Sequence, residues 1–456
     1  MTIYTVSSAA QLNSALASAK DGDRIQMSGG NYGDVSISGK NFANGITIEA
    51  LDKTNPPVFN TVKVVSSTNL IFDGIDVDFK PTAATNDWDS AFFVNYSAGI
   101  QILNSSFTGG NAVAGMDPNN THLSAGANGV AGFPIGRGLT FWNSQDVTFN
   151  GNTIDGFTHG VHFDSVDQIV FNNNEIANFR KVPVNGPDVS NLHMEGNYFH
   201  DARPWNFSAT GDHGDFVHFW TEPGQPAPSQ NFVFKNNFFA QGDGTPVLGI
   251  YLDDNTNNVG FRNVLVENNT IHNGNGQALR MEDVVGLIVR DNTFVGTPQY
   301  ANVLPHIVLD TGNRNVLIEN NIFSGVSGLG THNLAGDNIV IVNNLTVQIT
   351  DPSKANYAGY IFVKGVTQNA GYGDLRVVAG SLGDGMGATT TAIPLTPAVP
   401  ASPYTSGGGT SSGGGIPVPT AFGGPTAQPL GADEDAEVVV APDDDAEASD
   451  EDEVVA

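Results

Sequence analysis

The chain contains no cysteine among its 456 residues, which excludes a disulfide framework and any thiol chemistry. It has no uninterrupted apolar run of about 18 residues, so no segment reads as a membrane-spanning helix. Positive charge is scarce: 18 Lys and Arg stand against 47 Asp and Glu, a net charge of −29. Such a surface repels nucleic acid and anionic membranes. The charge is uneven, because no Lys or Arg follows Arg376, and the segment from Asp433 to Glu453 carries 12 acidic groups. Long helical patterns are nearly absent. The opening residues, Met1 to Val6, show neither a basic nor an apolar leader region, so no Sec-type signal is expected.

What is present is a repeat. Val147-Thr148-Phe149-Asn150-Gly151-Asn152-Thr153-Ile154 returns as Ile169-Val170-Phe171-Asn172-Asn173-Asn174-Glu175-Ile176. Further copies lie at Leu265 to Ile271, Ile288 to Phe294 and Leu317 to Phe323. Each is a short alternating strand, an Asn-rich corner and one large apolar residue. A period of roughly 22 residues built from strands predicts an all-β solenoid, a single-stranded parallel β-helix. The anchor position falls at Ile75, Ser105, Asn152, Asn174, Asn197, Asn237, Asn269, Asn292, Asn321 and Asn344, where stacked amides can form a ladder along the axis. Longer gaps predict loops near 109–136, 203–214 and 255–262. The Gly/Asn-rich stretch 117–138 reads as a lid, a gripping loop or an insertion without a role.

The ends differ from the body. Ser8 to Lys20 reads as a short amphipathic helix capped by Ser7 or Ser8, with Leu12, Leu16 and Ala19 on one face. It suits the cap of an open solenoid end. Residues 1–35 are expected to form this cap and the first coil, and residues 36–380 the β-helix. Ile361-Phe362-Val363 and Leu375 to Val378 are its expected last strands. A Pro/Gly/Ser/Thr-rich linker over 381–431 and an acidic disordered tail over 432–456 follow.

The opening segment (helix, Asp21-Gly22-Asp23, the strand Arg24 to Met27, then Gly30-Asn31-Tyr32) resembles the start of right-handed parallel β-helix proteins of the pectate-lyase-like superfamily. It is most similar to polysaccharide lyases of the chondroitinase B and alginate lyase type. The resemblance implies a right-handed coil, an extracellular or cell-surface location and action on an acidic polysaccharide. The ending Asp452-Glu453-Val454-Val455-Ala456 is similar to the acidic-then-apolar ending of type I secretion substrates.

After each Asn corner comes a further strand: Gly160 to Asp164, Phe216 to Trp220, Gly249 to Asp253, Ala278 to Glu282 and His306 to Asp310. Alternation sends Val161, Phe163, Val217, Phe219, Ile250, Leu252, Leu279, Met281, Ile307 and Leu309 inward. The outward positions then form two columns. One runs His162, His218, Tyr251, Arg280, Val308, and its neighbour runs Asp164, Trp220, Asp253, Glu282, Asp310. A coil between the first two members is expected to add Lys181 and Asn185 to the same face. Coils stack about 4.8 Å apart, so His218, Tyr251 and Arg280 would occupy consecutive rungs.

That set fits proton abstraction next to a carboxylate. Arg280 or Lys181 could neutralise the carboxylate of a uronic acid and acidify its C5 proton. His218 or Tyr251, with His162 nearby, could take that proton, and the other could protonate the leaving oxygen. Trp220 and Trp142 offer flat faces to sugar rings, and Asp164, Asn185, Asp253, Glu282 and His213 supply polar contacts. The expectation is β-elimination or C5 epimerisation of uronic acid units. Asp212, Asp215 and Asp253 are a candidate oxygen-ligand set for Ca²⁺. Two other readings stand beside this one. The first is a non-catalytic glycan-binding adhesin, surface protein or phage fibre. The second is a glycoside hydrolase in which Asp253 and Glu282 form the carboxyl pair.

Overall fold

The computed structural model describes residues 1–112, 132–205, 212–255, 259–371 and 373–389. The chain winds into a parallel β-helix in which each strand hydrogen-bonds to its counterpart one turn later. Every turn contributes strands to three faces. The catalytic candidates lie on the first, made of Arg137–Trp142, His159–Asp164, Val182–Pro187, Asp215–Trp220, Leu248–Asp253, Gln277–Met281 and His306–Leu309. The second face holds the hydrophobic half of each repeat, as in Val189–Glu195, Ser229–Lys235 and Phe261–Glu267. The third holds the short strands after the Asn corner, such as Tyr198–His200, Phe238–Ala240 and Thr270–His272.

Alternation decides what is inside. All ten residues assigned inward on the first face are at most 1% exposed. Phenylalanines stack in register through the core: the Phe141 and Phe163 rings are 5.4 Å apart, and those of Phe199 and Phe239 are 4.9 Å apart with planes 6° from parallel. This continuous core is what lets a long chain bury its apolar surface coil by coil.

The amide ladder runs unbroken from Asn152 to Asn344. Each side-chain oxygen accepts both the backbone N–H and the side-chain N–H of the Asn one coil earlier, as in Asn197 to Asn237 at 3.0 and 2.8 Å. Each Nδ2 also donates to a carbonyl of the strand above, Met194 in the case of Asn237. Ser105 starts the ladder with a hydroxyl that Ile75 N–H reaches, and its own N–H donates to Asn152. The residue before each anchor takes a left-handed conformation that Asn tolerates better than most residues; Asn173, Asn236, Asn268, Asn320 and Asn343 all have φ near 55°. A second ladder at another corner, Asn263 to Asn231 to Asn191 to Asp167, escaped the sequence reading.

The N-terminal helix α1 (Ala9–Ser18) begins at Ser8, whose hydroxyl accepts from Gln11 N–H. It lays Leu12, Ala15 and Leu16 over the open end of the core. Tyr32 closes the same end by donating to the carbonyls of Val6 and Ser28. At the other end the last paired strand is Leu345–Thr346. The expected closing strands are not coils of the solenoid. Ile361 ends a short helix, Ala358–Ile361, and Phe362 forms only an antiparallel bridge to Val377. Ile361, Phe362 and Leu375 bury themselves against Val295 and Ile322 on the third face. The chain then runs back toward the N-terminus, and Ala388 and Thr389 donate to Thr293 and Asn268. The expected linker from residue 390, the acidic tail and most of the stretch 117–138 lie outside the described residues.

Candidate active site

The register of the first face follows the expected columns and extends them. Lys63, Phe93, Thr140, His162, Asn185, His218, Tyr251, Arg280 and Val308 occupy one position of successive coils. The neighbouring column runs Asn95, Trp142, Asp164, Pro187, Trp220 and Asp253. Glu282 and Asp310 continue it through N–H bonds to Leu252 and Met281.

The centre of the face is a three-layer stack. The His218 imidazole lies on the Tyr251 ring with centroids 4.7 Å apart and planes 9° apart. On the opposite side the Arg280 guanidinium sits 4.9 Å from the Tyr251 centroid, a cation–π contact. Arg280 Nε also donates to Asp310 at 2.7 Å. Tyr251 is 4% exposed, whereas the His218 side chain keeps 19% of its surface open. The imidazole therefore faces an incoming ligand more fully than the phenol does. Trp220 flanks His218 with ring centroids 5.3 Å apart.

Carboxylates hold His218 from two sides. Its Nδ1 is 3.5 Å from Asp215 and its Nε2 3.5 Å from Asp253. Asp215 is fully buried, and His213 reaches it at 3.2 Å. Burial works against ionising Asp215, but His213, His218 and Arg280 outweigh it and hold the carboxyl below its ordinary range. Asp253 is likewise opposed by burial and lowered by its bonds to His218, Glu282 and Tyr251. Glu282 takes the other half of that balance. Burial, the hydrogen bond to Asp253 and the charges of Asp253 and Asp310 push it up to about 8. Near neutral pH Glu282 thus carries a proton directed at Asp253.

Two further histidines sit upstream. His162 Nδ1 is 3.1 Å from Asn185 Oδ1, and Asn185 Nδ2 is 3.2 Å from His159 Nδ1. Burial first, then the positive charge of Arg137, moves both histidines well below 6.5, so they are neutral. Arg137 pairs with His159 in register, a placement that the sequence reading missed. The signal was available, because the two residues hold the same position in adjacent aligned repeats.

Three expectations need correction. Lys181 does not share the outward column with Asn185. It precedes the strand at Val182, bonds through its N–H to Thr158 O and acts on His159 from the corner. Trp142 does keep its place in the outward column of Trp220, three coils upstream, with Asp164 and Pro187 between. The Ca²⁺ set does not converge. Asp212 forms a two-pronged pair with Arg180 at 2.7 and 2.8 Å and accepts Trp205 N–H, and Asp215 is committed to histidines. Among the described residues no group of three or more His, Asp or Glu is arranged to hold a metal. Finally, Asp253 and Glu282 touch through a hydrogen bond, whereas carboxyl pairs of glycosidases stand at least about 5 Å apart. Asp164 remains on its expected face, partnered by Ser165 and raised by burial.

A family model agrees with the architecture. Residues 137–304 match a family model described as a right-handed β-helix region, so the solenoid is a right-handed parallel β-helix. No curated protein matches the sequence. A polysaccharide lyase of family PL6 from Pseudopedobacter saltans is 15% identical over 81% of this chain and 98% of that one, with a TM-score of 0.41. An alginate lyase from Paenibacillus sp. str. FPU-7 is 12% identical over 65% of this chain and 94% of that one, with a TM-score of 0.37. PfbA, a surface adhesin of Streptococcus pneumoniae, is 12% identical over 74% of this chain and 85% of that one, with a TM-score of 0.42.

Proposed function

We propose that this chain is an extracellular enzyme acting on an acidic polysaccharide, by β-elimination or C5 epimerisation of uronic acid units. The observation that carries the reading is the His218–Tyr251–Arg280 stack. A base, a hydroxyl acid and a cation occupy consecutive rungs, and an indole lies beside them.

Arg280 pairs with the substrate carboxylate, and the enolate that forms when C5 loses its proton puts more charge on the same oxygens. His218, flanked by Asp215 and Asp253, takes the C5 proton. In elimination the electron pair forms the C4–C5 double bond, the C4–O bond breaks, and Tyr251 protonates the departing oxygen. In epimerisation Tyr251 returns a proton to C5 from the other side and no bond to oxygen breaks. Trp220 stacks on the sugar ring, and Asn185 and His162 bind hydroxyl groups one and two coils away. The neutral state of His162 suits it to donate or accept a hydrogen bond without repelling Arg280.

The test is incubation with a panel of polyuronates. Elimination raises ultraviolet absorbance through the unsaturated product; epimerisation leaves absorbance flat but incorporates solvent deuterium at C5. His218→Ala and Arg280→Ala should abolish either signal while leaving the circular dichroism of the β-helix unchanged. Glycan binding with neither signal on any polyuronate would instead mark a non-catalytic binding protein. Reducing ends released without new absorbance would mark hydrolysis.

A further inference from the structure

Next to the stack, at the corner between the first and second faces, lies a cleft of about 300 Å³. Glu282, Asp254, Asp283, Arg262, Gly312 and Arg314 line it. Glu282 belongs both to this wall and to the column that carries Trp220 and Asp253, so a glycan lying along the column reaches the cleft without changing direction.

The cleft is built around Asp283. That residue adopts a left-handed turn, φ 43°, between two glycines of the adjoining coils. A Cβ on Gly260 would lie 2.4 Å from its carboxylate oxygen, and one on Gly312 would lie 2.7 Å from the other. Both glycines have positive φ, 58° and 82°, so side chains are excluded there twice over. Two arginines act on the Asp283 carboxyl, Arg262 and Arg314. Arg262 Nη1 is tied to the carbonyls of Phe261 and Asp283. Arg314 is exposed and, among the described residues, its side chain makes no hydrogen bond or ion pair. Asp254 is buried and accepts from Thr221. The proton on Glu282 removes a third negative charge from the cleft near neutral pH.

We infer that this cleft is a second carboxylate subsite, in which Arg314, backed by Arg262, binds the acid group of a uronate unit neighbouring the one at His218. The inference rests on the proposed action on acidic polysaccharide. It names the residues that would read charge on a unit that does not react. The Arg314 guanidinium, on a rim formed with Thr311 and Gly312, presents several N–H groups to one carboxylate, the geometry in which arginine outperforms lysine.

The experiment is isothermal titration of the His218→Ala protein, which binds without turning over. The probes are size-defined oligouronates of increasing length and the same oligomers with their carboxyl groups reduced. Adding Arg314→Ala should weaken the longer oligouronates about tenfold, the scale of a lost charge-assisted hydrogen bond. The shortest oligomers and all reduced oligomers should be unchanged, and Arg314→Lys should recover only part of the loss. Equal weakening of acidic and reduced oligomers, or no weakening at all, overturns the subsite. Turnover of polyuronates by the wild-type protein in that case leaves the proposed function standing. If the His218→Ala protein binds no oligouronate, the proposed function and the subsite fall together.

Discussion

His218 lies flat against Tyr251, with centroids 4.7 Å and planes 9° apart, although 33 positions of chain separate them. The contact exists because the two residues hold one position on successive coils, and parallel strands repeat at about 4.8 Å. Arg280 one coil further on completes the stack. Tyr251→Phe keeps the ring and both stacking contacts but removes the hydroxyl. It is expected to lower kcat by two to four orders of magnitude, roughly the worth of a general acid, with little change in KM. Arg280→Lys should raise KM as well as lower kcat, because an ammonium group cannot meet a carboxylate in two-pronged fashion while lying on the phenol ring. Steady-state kinetics on the polyuronate that responds will separate the two effects.

Asp253 and Glu282 share a proton, and the pH dependence follows from it. Glu282 titrates at about 8 instead of 4.5. Folding therefore favours its protonated form. That contribution is complete below pH 4.5 and is lost as pH rises through about 8. Above that pH the second carboxylate also repels an acidic substrate, so kcat/KM should fall on the alkaline side. Glu282→Gln keeps a neutral donor next to Asp253 and should flatten that limb. It should also raise the melting temperature at pH 9 and leave it nearly unchanged at pH 4. A Gln variant with the alkaline limb intact would assign the limb to another group.

The ladder residue Asn237 offers a test of the fold itself. Its side chain accepts two bonds from Asn197 and donates to Met194 and Asn269, with no exposed surface. Asn237→Ala leaves a buried N–H and a buried carbonyl without partners, each costing about 1–3 kcal/mol. A loss of roughly 2–5 kcal/mol in urea unfolding is expected. The same substitution at exposed Asn44 should change stability by less than about 0.5 kcal/mol.

The columns were legible because a fixed period and strict alternation determine them. Once Asn152, Asn174, Asn197 and Asn237 are aligned, His162, His218, Tyr251 and Arg280 fall on one side without further information. What lay outside that regularity was not legible. Lys181 was misplaced because the corner before Val182 does not follow the two-residue alternation of the strand. The hydrogen bond between Asp253 and Glu282 depends on rotamers, which register does not specify. The second ladder through Asn191, Asn231 and Asn263 was in the sequence at the same spacing as the first, but each is a single Asn after Ser190, Gln230 or Arg262, without the Gly-Asn or Asn-Asn pair that drew attention to the anchor positions. The Arg180 pairing with Asp212 and Asp87 spans loops whose lengths vary from coil to coil, so no period predicts it.

That pairing leads to the last prediction. Arg180 has no exposed surface, binds Asp212 at 2.7 and 2.8 Å and approaches Asp87 at 3.4 Å. Burial raises Asp87, and Arg180 and Lys181 partly offset that rise. The cluster joins three segments: the 80–89 loop, the corner before Val182, and the residues that lead from Asp212 into the His218 strand. Removing the cation leaves buried carboxylates uncompensated, so Arg180→Met should cost about 3–5 kcal/mol in chemical unfolding. Asp212 lies only three residues before Asp215, which flanks His218. The same variant should therefore reduce kcat more than KM, measured at a temperature where it remains folded. Arg180→Met with Asp212→Asn and Asp87→Asn removes the uncompensated charges and should recover much of the stability. It should not recover kcat if Arg180 positions the His218 strand; recovery of both would show that the cluster matters for folding alone.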